Sequence, residues 1–560
     1  MLGPAIRDRG IAMRSLLLKA LPLATLLALL PACQRFEAPA TANAKPTAAK
    51  KPEAKPAAGK FAFAEVGIDE LQARMGRGEL TSHALTQAYL DRIAAIDDAG
   101  PRLNAVIQTN PDALKEADAR DAERKAGRVR GPLHGVPVLL KDNIDATPMV
   151  NSAGSLALAS HHPRTDAFLV ARLRDAGAVI LGKTNLSEWA NFRSSRSSSG
   201  WSARGGQTRN PYALDRSPCG SSSGSGSAIA ASLAAASIGT ETDGSIICPS
   251  SVAGLVGIKP TVGLVSRNGI IPISHSQDTA GPMARTVADA AILLSAIVGP
   301  NEGDPATAES TGRAIFDYHA RLNRDGLRGA RIGVLRKGMG FHPGADAAME
   351  RSLEAMRQAG AEIVDVELAT SGQWNDAEMD VLLYEFKHGL NAYLSRSGAT
   401  VNSLEALIEF NRRNDKTEMP FFAQELFERA QAKGSLDEIA YIDARSKARR
   451  LAGAEGIEAT IATSKLDAIV APATAPAWLI DPVNGDHFLG EGYGAAAVAG
   501  TPSVTVPMGD YFGLPMGIVF MGPAWSEPRL IELAYAFEQK THARKPPKFL
   551  ATAPLGPTKG

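Results

Sequence analysis

Cysteine is scarce: there are three in 560 residues, and none forms a Cys-x-x-Cys pair. That excludes a scaffold built on disulfides and the usual spacing of structural zinc ligands. A surplus of charge is missing too. Lys and Arg total 60 against 59 Asp and Glu, a formal charge of +1, so nothing favours a nucleic-acid partner and a small molecule is expected instead. The ten histidines, the His161-His162 pair included, never form His-Glu-x-x-His, which removes metalloprotease chemistry. His134 and His275 read as structural or exposed. With 44% hydrophobic and 21% charged residues, the remainder is the composition of an ordinary soluble globular protein.

The N-terminus has its own character. From Met13 a short basic region (Arg14, Lys19) runs into an apolar stretch that ends at Ala32-Cys33. The stretch is too short and wrongly flanked for a membrane span and reads as an export signal over residues 1–33, with Met13 as an alternative start. Leu30-Pro31-Ala32-Cys33 resembles the bacterial lipobox, in which the cysteine carries the lipid, although Pro31 is unusual there. Gln34 after it fits sorting to the outer membrane. The expectation is a periplasmic, outer-membrane-anchored protein; the plainer alternative is a secretory signal that is simply cleaved.

Residues 34–60 are nearly all Ala, Pro, Lys and Thr and read as a disordered tether. A single domain is expected over 61–548, with 549–560 as a disordered tail. Gly67–Ala99 reads as two helices, with Thr81 or Ser82 as N-cap and Leu85, Tyr89, Ile93 and Ile96 on one face. Leu103–Gln108 reads as a strand and Pro111–Lys125 as a polar helix. From Gly131 to Pro300, strand-like runs (Val136–Leu140, Val179–Leu181, Val256–Ile258) alternate with helical patterns and Gly/Ser loops, which argues an α/β fold with helices covering a buried sheet. Residues 301–460 read as mostly helical. Leu466–Ala471 and Ser503–Val506 return as strands, and Leu530–Lys540 as a helix.

Two Gly/Ser-rich loops carry the chemistry. The first runs from Cys219 to Ser227 and leads into an Ala-rich segment expected to be helical from Ala228 to about Ser237. The second is Gly239–Ile246. Such loops beside helix N-termini present backbone N–H groups to an anion or a developing oxyanion. No Gly-Lys-Ser/Thr follows, which argues against a phosphate-binding P-loop. Gly220–Gly224 matches Gly-x-Ser-x-Gly centred on Ser222, but loop rather than strand precedes it, so the nucleophile-elbow reading fails.

Together with Gly135–Asp142, Gly182-Lys183-Thr184-Asn185 and Ala499–Ser503, these loops resemble the amidase signature family over residues ~61 to ~545. Within it, Ser187–Phe192, Gly200–Asn210 and Thr240–Ser245 look most like the bacterial peptide amidases, which remove a C-terminal carboxamide. The resemblance implies one large domain with a central mixed, twisted sheet covered by helices on both faces, and no cofactor or metal. It implies Lys141 as base, Ser221 as bridging serine after a cis peptide bond, and Ser245 as nucleophile. The backbone N–H groups of Thr242, Asp243, Gly244 and Ser245 would form the oxyanion hole.

The residues are coherent with those roles. Lys141 ends an apolar strand, so burial should depress its pKa and free its lone pair. Ser221 can pass a proton between it and Ser245. Glu241 and Asp243 stand where most family members carry Asp and Gly. Asp243, Asn191 and Arg204 are the candidate substrate contacts, against plainer readings as an outward-facing carboxylate, a capping amide and a surface cation. Cys219 and Cys248 lie beside the two loops and are expected as buried free thiols, with a disulfide as the alternative in an oxidising compartment.

The expected activity is hydrolysis of peptide C-terminal amides by a monomer, touching the membrane only through the Cys33 lipid. The alternatives are a broader aliphatic or aromatic amidase, a cytoplasmic glutamyl-tRNA amidotransferase subunit, and an inactive lipid-anchored binding protein. The export signal speaks against the third reading, and the intact Lys141, Ser221 and Ser245 set against the last.

Overall fold

The computed structural model describes residues 61–556. Cys33, the export segment and the tether lie outside the described residues. Eleven strands form one mixed sheet: β1 Val106–Thr109, β2 Pro137–Lys141, β3 Val179–Thr184, β4 Ala236–Glu241, β5 Val256–Lys259 and β6 Thr279–Ala284 from the first half. From the second half come β7 Arg331–Leu335, β8 Glu362–Val366, β9 Ala468–Pro472, β10 Ser503–Tyr511 and β11 Leu514–Met521. Their spatial order is β1-β3-β2-β4-β6-β5-β10-β11-β9-β7-β8. β3, β2 and β4 run parallel, as do β9, β7 and β8, while the strands between pair antiparallel.

Every residue of β2, β3, β4 and β6 is buried, as expected of strands covered on both faces. The helices Val287–Ile297, Pro343–Gln358 and Glu527–Thr541 are among those packing on the sheet. The fold expected from the family resemblance is the one observed.

Local readings hold where caps and periodicity are explicit. Helices run over Ile68–Gly76 and Ser82–Arg92, and Thr81 Oγ1 accepts the Ala84 N–H at 3.0 Å. Leu85, Tyr89 and Ile93 are buried on the expected face. The first strand is shorter than expected. Arg102 and Asn104 take positive φ, and the buried Asp97 carboxylate accepts the Ala105 and Val106 N–H groups at 2.8 and 2.9 Å, so pairing starts only at Val106.

Three expectations need correction. The helix after the first loop covers Ser223–Ala230, so it begins inside the Gly/Ser run; Ala231, Ala234 and Ala235 lie in the turn that follows, and Ala236 opens β4. Ser232 takes φ +55°, which ends the helix before the remaining alanines. The helical reading of 301–460 missed β7 and β8, five residues each, the second a half-exposed edge strand with charges at Glu362 and Asp365. Finally, residues 549–556 are no loose tail. The Phe549 N–H donates to Pro211 O at 3.0 Å, Leu214 N–H to Leu550 O at 2.8 Å, and Ala553 is buried with Ala213 and Leu514.

Candidate active site

The site assembles where β2 and β4 end side by side. Lys141 closes β2 with no exposed surface, and its Nζ lies 2.8 Å from Ser221 Oγ, 3.1 Å from Thr240 O and 2.9 Å from Thr240 Oγ1. Asn143 Nδ2 donates to the same Thr240 hydroxyl at 3.0 Å. No carboxylate lies within ion-pairing distance of this amine among the described residues, and burial pulls its pKa down to about 7. A neutral amine has two N–H groups and one lone pair. With its hydrogens given to the two Thr240 oxygens, the lone pair faces the Ser221 hydroxyl. That is the arrangement a base needs.

The strand end carrying Lys141 is anchored by its neighbour. Asp142, fully buried, lies 3.2 Å from Lys183 Nζ and accepts from Arg204 Nη1 at 3.1 Å and from the Ser152 hydroxyl. Lys183 donates on to Ile144 O at 2.7 Å and to Asn151 Oδ1 at 3.0 Å. Arg204 is therefore bound within the molecule, its other arm on Gln108 Oε1 at 3.0 Å. The substrate contact expected of it is replaced by a supporting role beneath the base.

Ser221 follows a cis peptide bond from Gly220. Its carbonyl accepts the Ser187 N–H at 3.1 Å, and Ser222 N–H donates to Ser245 O at 3.1 Å, tying the two loops together. That proximity brings Cys219 and Cys248 into a disulfide with Cα atoms 6.0 Å apart, so the free thiols expected from sequence are corrected to a covalent link. A Cβ placed on Gly220 would meet Asn191 Oδ1 at 2.8 Å, which puts Asn191 beside the serine loop, as a substrate contact requires.

Ser245 is 8% exposed, against 0% for Ser221 and Lys141, so the nucleophile candidate reaches the surface and the other two are fully enclosed. The turn before it is shaped by Glu241. This buried carboxylate accepts the Ile246 and Ile247 N–H groups at 2.7 and 3.0 Å and also draws the Gly244 N–H. The Thr242, Asp243 and Ser245 N–H groups make no hydrogen bond among the described residues, leaving a row of donors along the loop that carries Ser245. Gly244 takes φ +72° under the Tyr493 ring, where any Cβ would lie 2.2 Å from ring carbon. Thr242 is held from its side chain, which donates to Asp278 Oδ1 at 2.6 Å, and burial raises that carboxyl to about 6.

Asp243 is exposed, although protein surrounds it on most sides. That desolvation first, then the charges of Glu378 and Glu491, raises its pKa above the ordinary carboxylate range. Glu378, 2.9 Å from Gln277 Nε2, is pushed up to about 7 by burial and by Glu491. Sequence reading missed Thr240, Asn143, Asp278, Gln277, Glu378 and Tyr493. Only Asn143, two residues after Lys141, and Thr240, inside the second loop, carried a local signal.

The arrangement matches known proteins across most of its length. A family model described as Amidase matches residues 84–531. A probable amidase of Arabidopsis thaliana is 42% identical over 505 residues, 88% of this chain and 93% of that protein. The native peptide amidase of Stenotrophomonas maltophilia superposes with a TM-score of 0.85 at 61% identity, covering 87% of this chain and 99% of that one. The peptide amidase structure in complex with the competitive inhibitor chymostatin gives 0.86 at 62% identity with the same coverage. On the match to most of its length, and on a buried lysine against the Ser221 hydroxyl beside a row of unbonded N–H donors, the chain belongs to the amidase signature family and is built to hydrolyse amide C–N bonds.

Proposed function

We propose that this protein hydrolyses the C-terminal carboxamide of peptides to the free acid and ammonia, through an acyl-enzyme on Ser245. The observation that carries the chemistry is the contact of Lys141 Nζ with Ser221 Oγ at 2.8 Å behind the outward-facing Ser245. The substrate class rests on 62% identity with a peptide amidase. Ser245 Oγ attacks the carboxamide carbon, and the oxyanion settles among the Thr242–Ser245 N–H groups. The serine proton passes through Ser221 to Lys141 and returns to the departing nitrogen as ammonia leaves. Water then enters, loses a proton along the same route and releases the acid. Asp243 accepts an N–H from the substrate's carboxamide, and Asn191 holds the adjoining peptide group.

We also propose that the protein is exported and anchored through Cys33. The Cys219–Cys248 disulfide supports an oxidising compartment.

Ammonia release from a dipeptide amide, a matched simple amide and an internal peptide bond tests the substrate class, alongside Ser245→Ala. Turnover of the dipeptide amide alone, abolished by the substitution, is expected. Equal or faster release from the simple amide would make the protein a general amidase, and no release from any would return it to a binding role.

A further inference from the structure

The two catalytic serines sit on separate loops, and three links join those loops. One is the Ser222 N–H to Ser245 O hydrogen bond at 3.1 Å. Another is the Ser222 hydroxyl, which donates to Thr240 O at 3.1 Å and accepts the Thr240 N–H at 3.3 Å. The third is covalent. Cys219 stands two residues before Ser221, Cys248 three residues after Ser245 in the helix Ile247–Val252, and the bond between them spans 29 residues of chain.

The covalent link is placed for positioning. On the serine side, Cys219 has φ +54°, and its carbonyl accepts the Ser223 hydroxyl at 2.6 Å. On the nucleophile side, Cys248 N–H donates to Gly244 O at 2.8 Å, closing the turn that presents the N–H donors. Both cysteines are buried, at 5% and 1% exposure, within the apolar cluster holding Ile247, Val252 and Tyr493. Shifts of about 1 Å between reacting groups can cost on the order of a hundredfold in rate. A link spanning both loops therefore controls the separation the proton relay depends on.

We propose that the Cys219–Cys248 disulfide is a positioning device of the catalytic site: it fixes the Ser221 loop against the Ser245 helix, and opening it disables hydrolysis without unfolding the chain. The proposal rests on the Ser221–Ser245 relay but not on the identity of the substrate. A dithiol supplies the opening step: it gives two electrons and two protons to the S–S bond, two thiols form, and the reductant closes to its own disulfide.

The test uses the full chain, native and as the double variant Cys219→Ser with Cys248→Ser. kcat and KM for a dipeptide amide are measured well below the thermal transition, before and after dithiol treatment, with thiol titration and circular dichroism on the same samples. The rate at which a sulfonyl fluoride modifies Ser245 is read in parallel, because it reports serine activation with no amide present. Reduced enzyme and double variant are expected to lose about tenfold or more in both kcat and Ser245 modification, with KM within about twofold. Reoxidation restores the native chain and leaves the variant unchanged.

A merely stabilising bond would shift the thermal transition and leave both rates alone. Unchanged rates in samples whose thiols titrate as free would overturn the proposal. If the double variant does not fold, the reduced native chain decides; if the bond resists the dithiol, the variant decides. Should the native chain release no ammonia while Ser245 modification still falls on reduction, the substrate assignment fails and the positioning role stands.

Discussion

Lys141, the proposed base, is also a thermodynamic burden. Burial lowers its pKa from 10.5 to about 7, so at pH 6 the charged amine lies fully buried with no carboxylate paired to it. Below pH 7 both folded and unfolded chains hold the proton, and the destabilisation, on the order of a few kcal/mol, is fully present. Between pH 7 and about 10.5 the unfolded chain binds more protons, so this group makes stability rise with pH; above that the effect is gone. The rate follows the free base. The pH profile of kcat is expected to climb through an apparent pKa near 7, and Lys141→Met should lower kcat by about a thousandfold or more. Calorimetry at pH 6 should show Lys141→Met at least as stable as the native chain. A flat profile between pH 5 and 9 would remove the lysine from the base role.

Glu241 acts at one remove from the substrate. Its carboxylate collects the Ile246 and Ile247 N–H groups and draws that of Gly244, and so shapes the turn that leaves those of Thr242, Asp243 and Ser245 unbonded. Glu241→Ala is expected to lower kcat about a hundredfold, with KM changed by less than about threefold. A KM effect alone would show that the turn shapes binding and not the oxyanion cradle.

Among the elements, the helix Ser223–Ala230 shows how closely the serine loop is set into the sheet. A Cβ on Gly224 would lie 2.2 Å from Ala105 O and 2.5 Å from Asn185 O, both backbone atoms unable to move independently. Gly224→Ala should cost at least about 3 kcal/mol, read as a lowered denaturant midpoint. This element also marks what sequence could tell. The two Gly/Ser loops suggested a backbone donor site, and the roles expected of Lys141, Ser221 and Ser245 came from the resemblance. The position of the helix was not legible: local propensity put it on the alanines from Ala228, whereas it starts at Ser223 and ends at Ala230, ahead of the positive φ of Ser232. Asp278, Gln277, Glu378 and Tyr493 reach the site from distant elements with no local pattern to betray them. The Cys219–Cys248 pairing could be decided only once the loops were known to touch.

At the scale of the molecule, Lys141 and Thr240 stand on the neighbouring strands β2 and β4, and Glu378 and Tyr493 reach the second loop from the later half of the chain. The C-terminal segment pairs with residues 211–214, which lead directly into the Ser221 loop. Truncation after residue 548 should lower stability by about 1–3 kcal/mol by calorimetry, from the lost hydrogen bonds and the exposed Ala213 and Leu514 surface. An unchanged transition would mean the segment only rests on the surface.

Burial of Lys141 also separates two properties that normally travel together. An amine that is largely free base near neutral pH is ordinarily the first to react with cyanate, anhydrides or isothiocyanates. Here that amine exposes no surface, while other lysines, such as Lys337 and Lys545, lie open to solvent. Carbamoylation in aged urea or routine amine labelling should therefore cap the surface first and spare turnover. Inactivation by such reagents would report the opening of the fold around β2 rather than the intrinsic reactivity of the base.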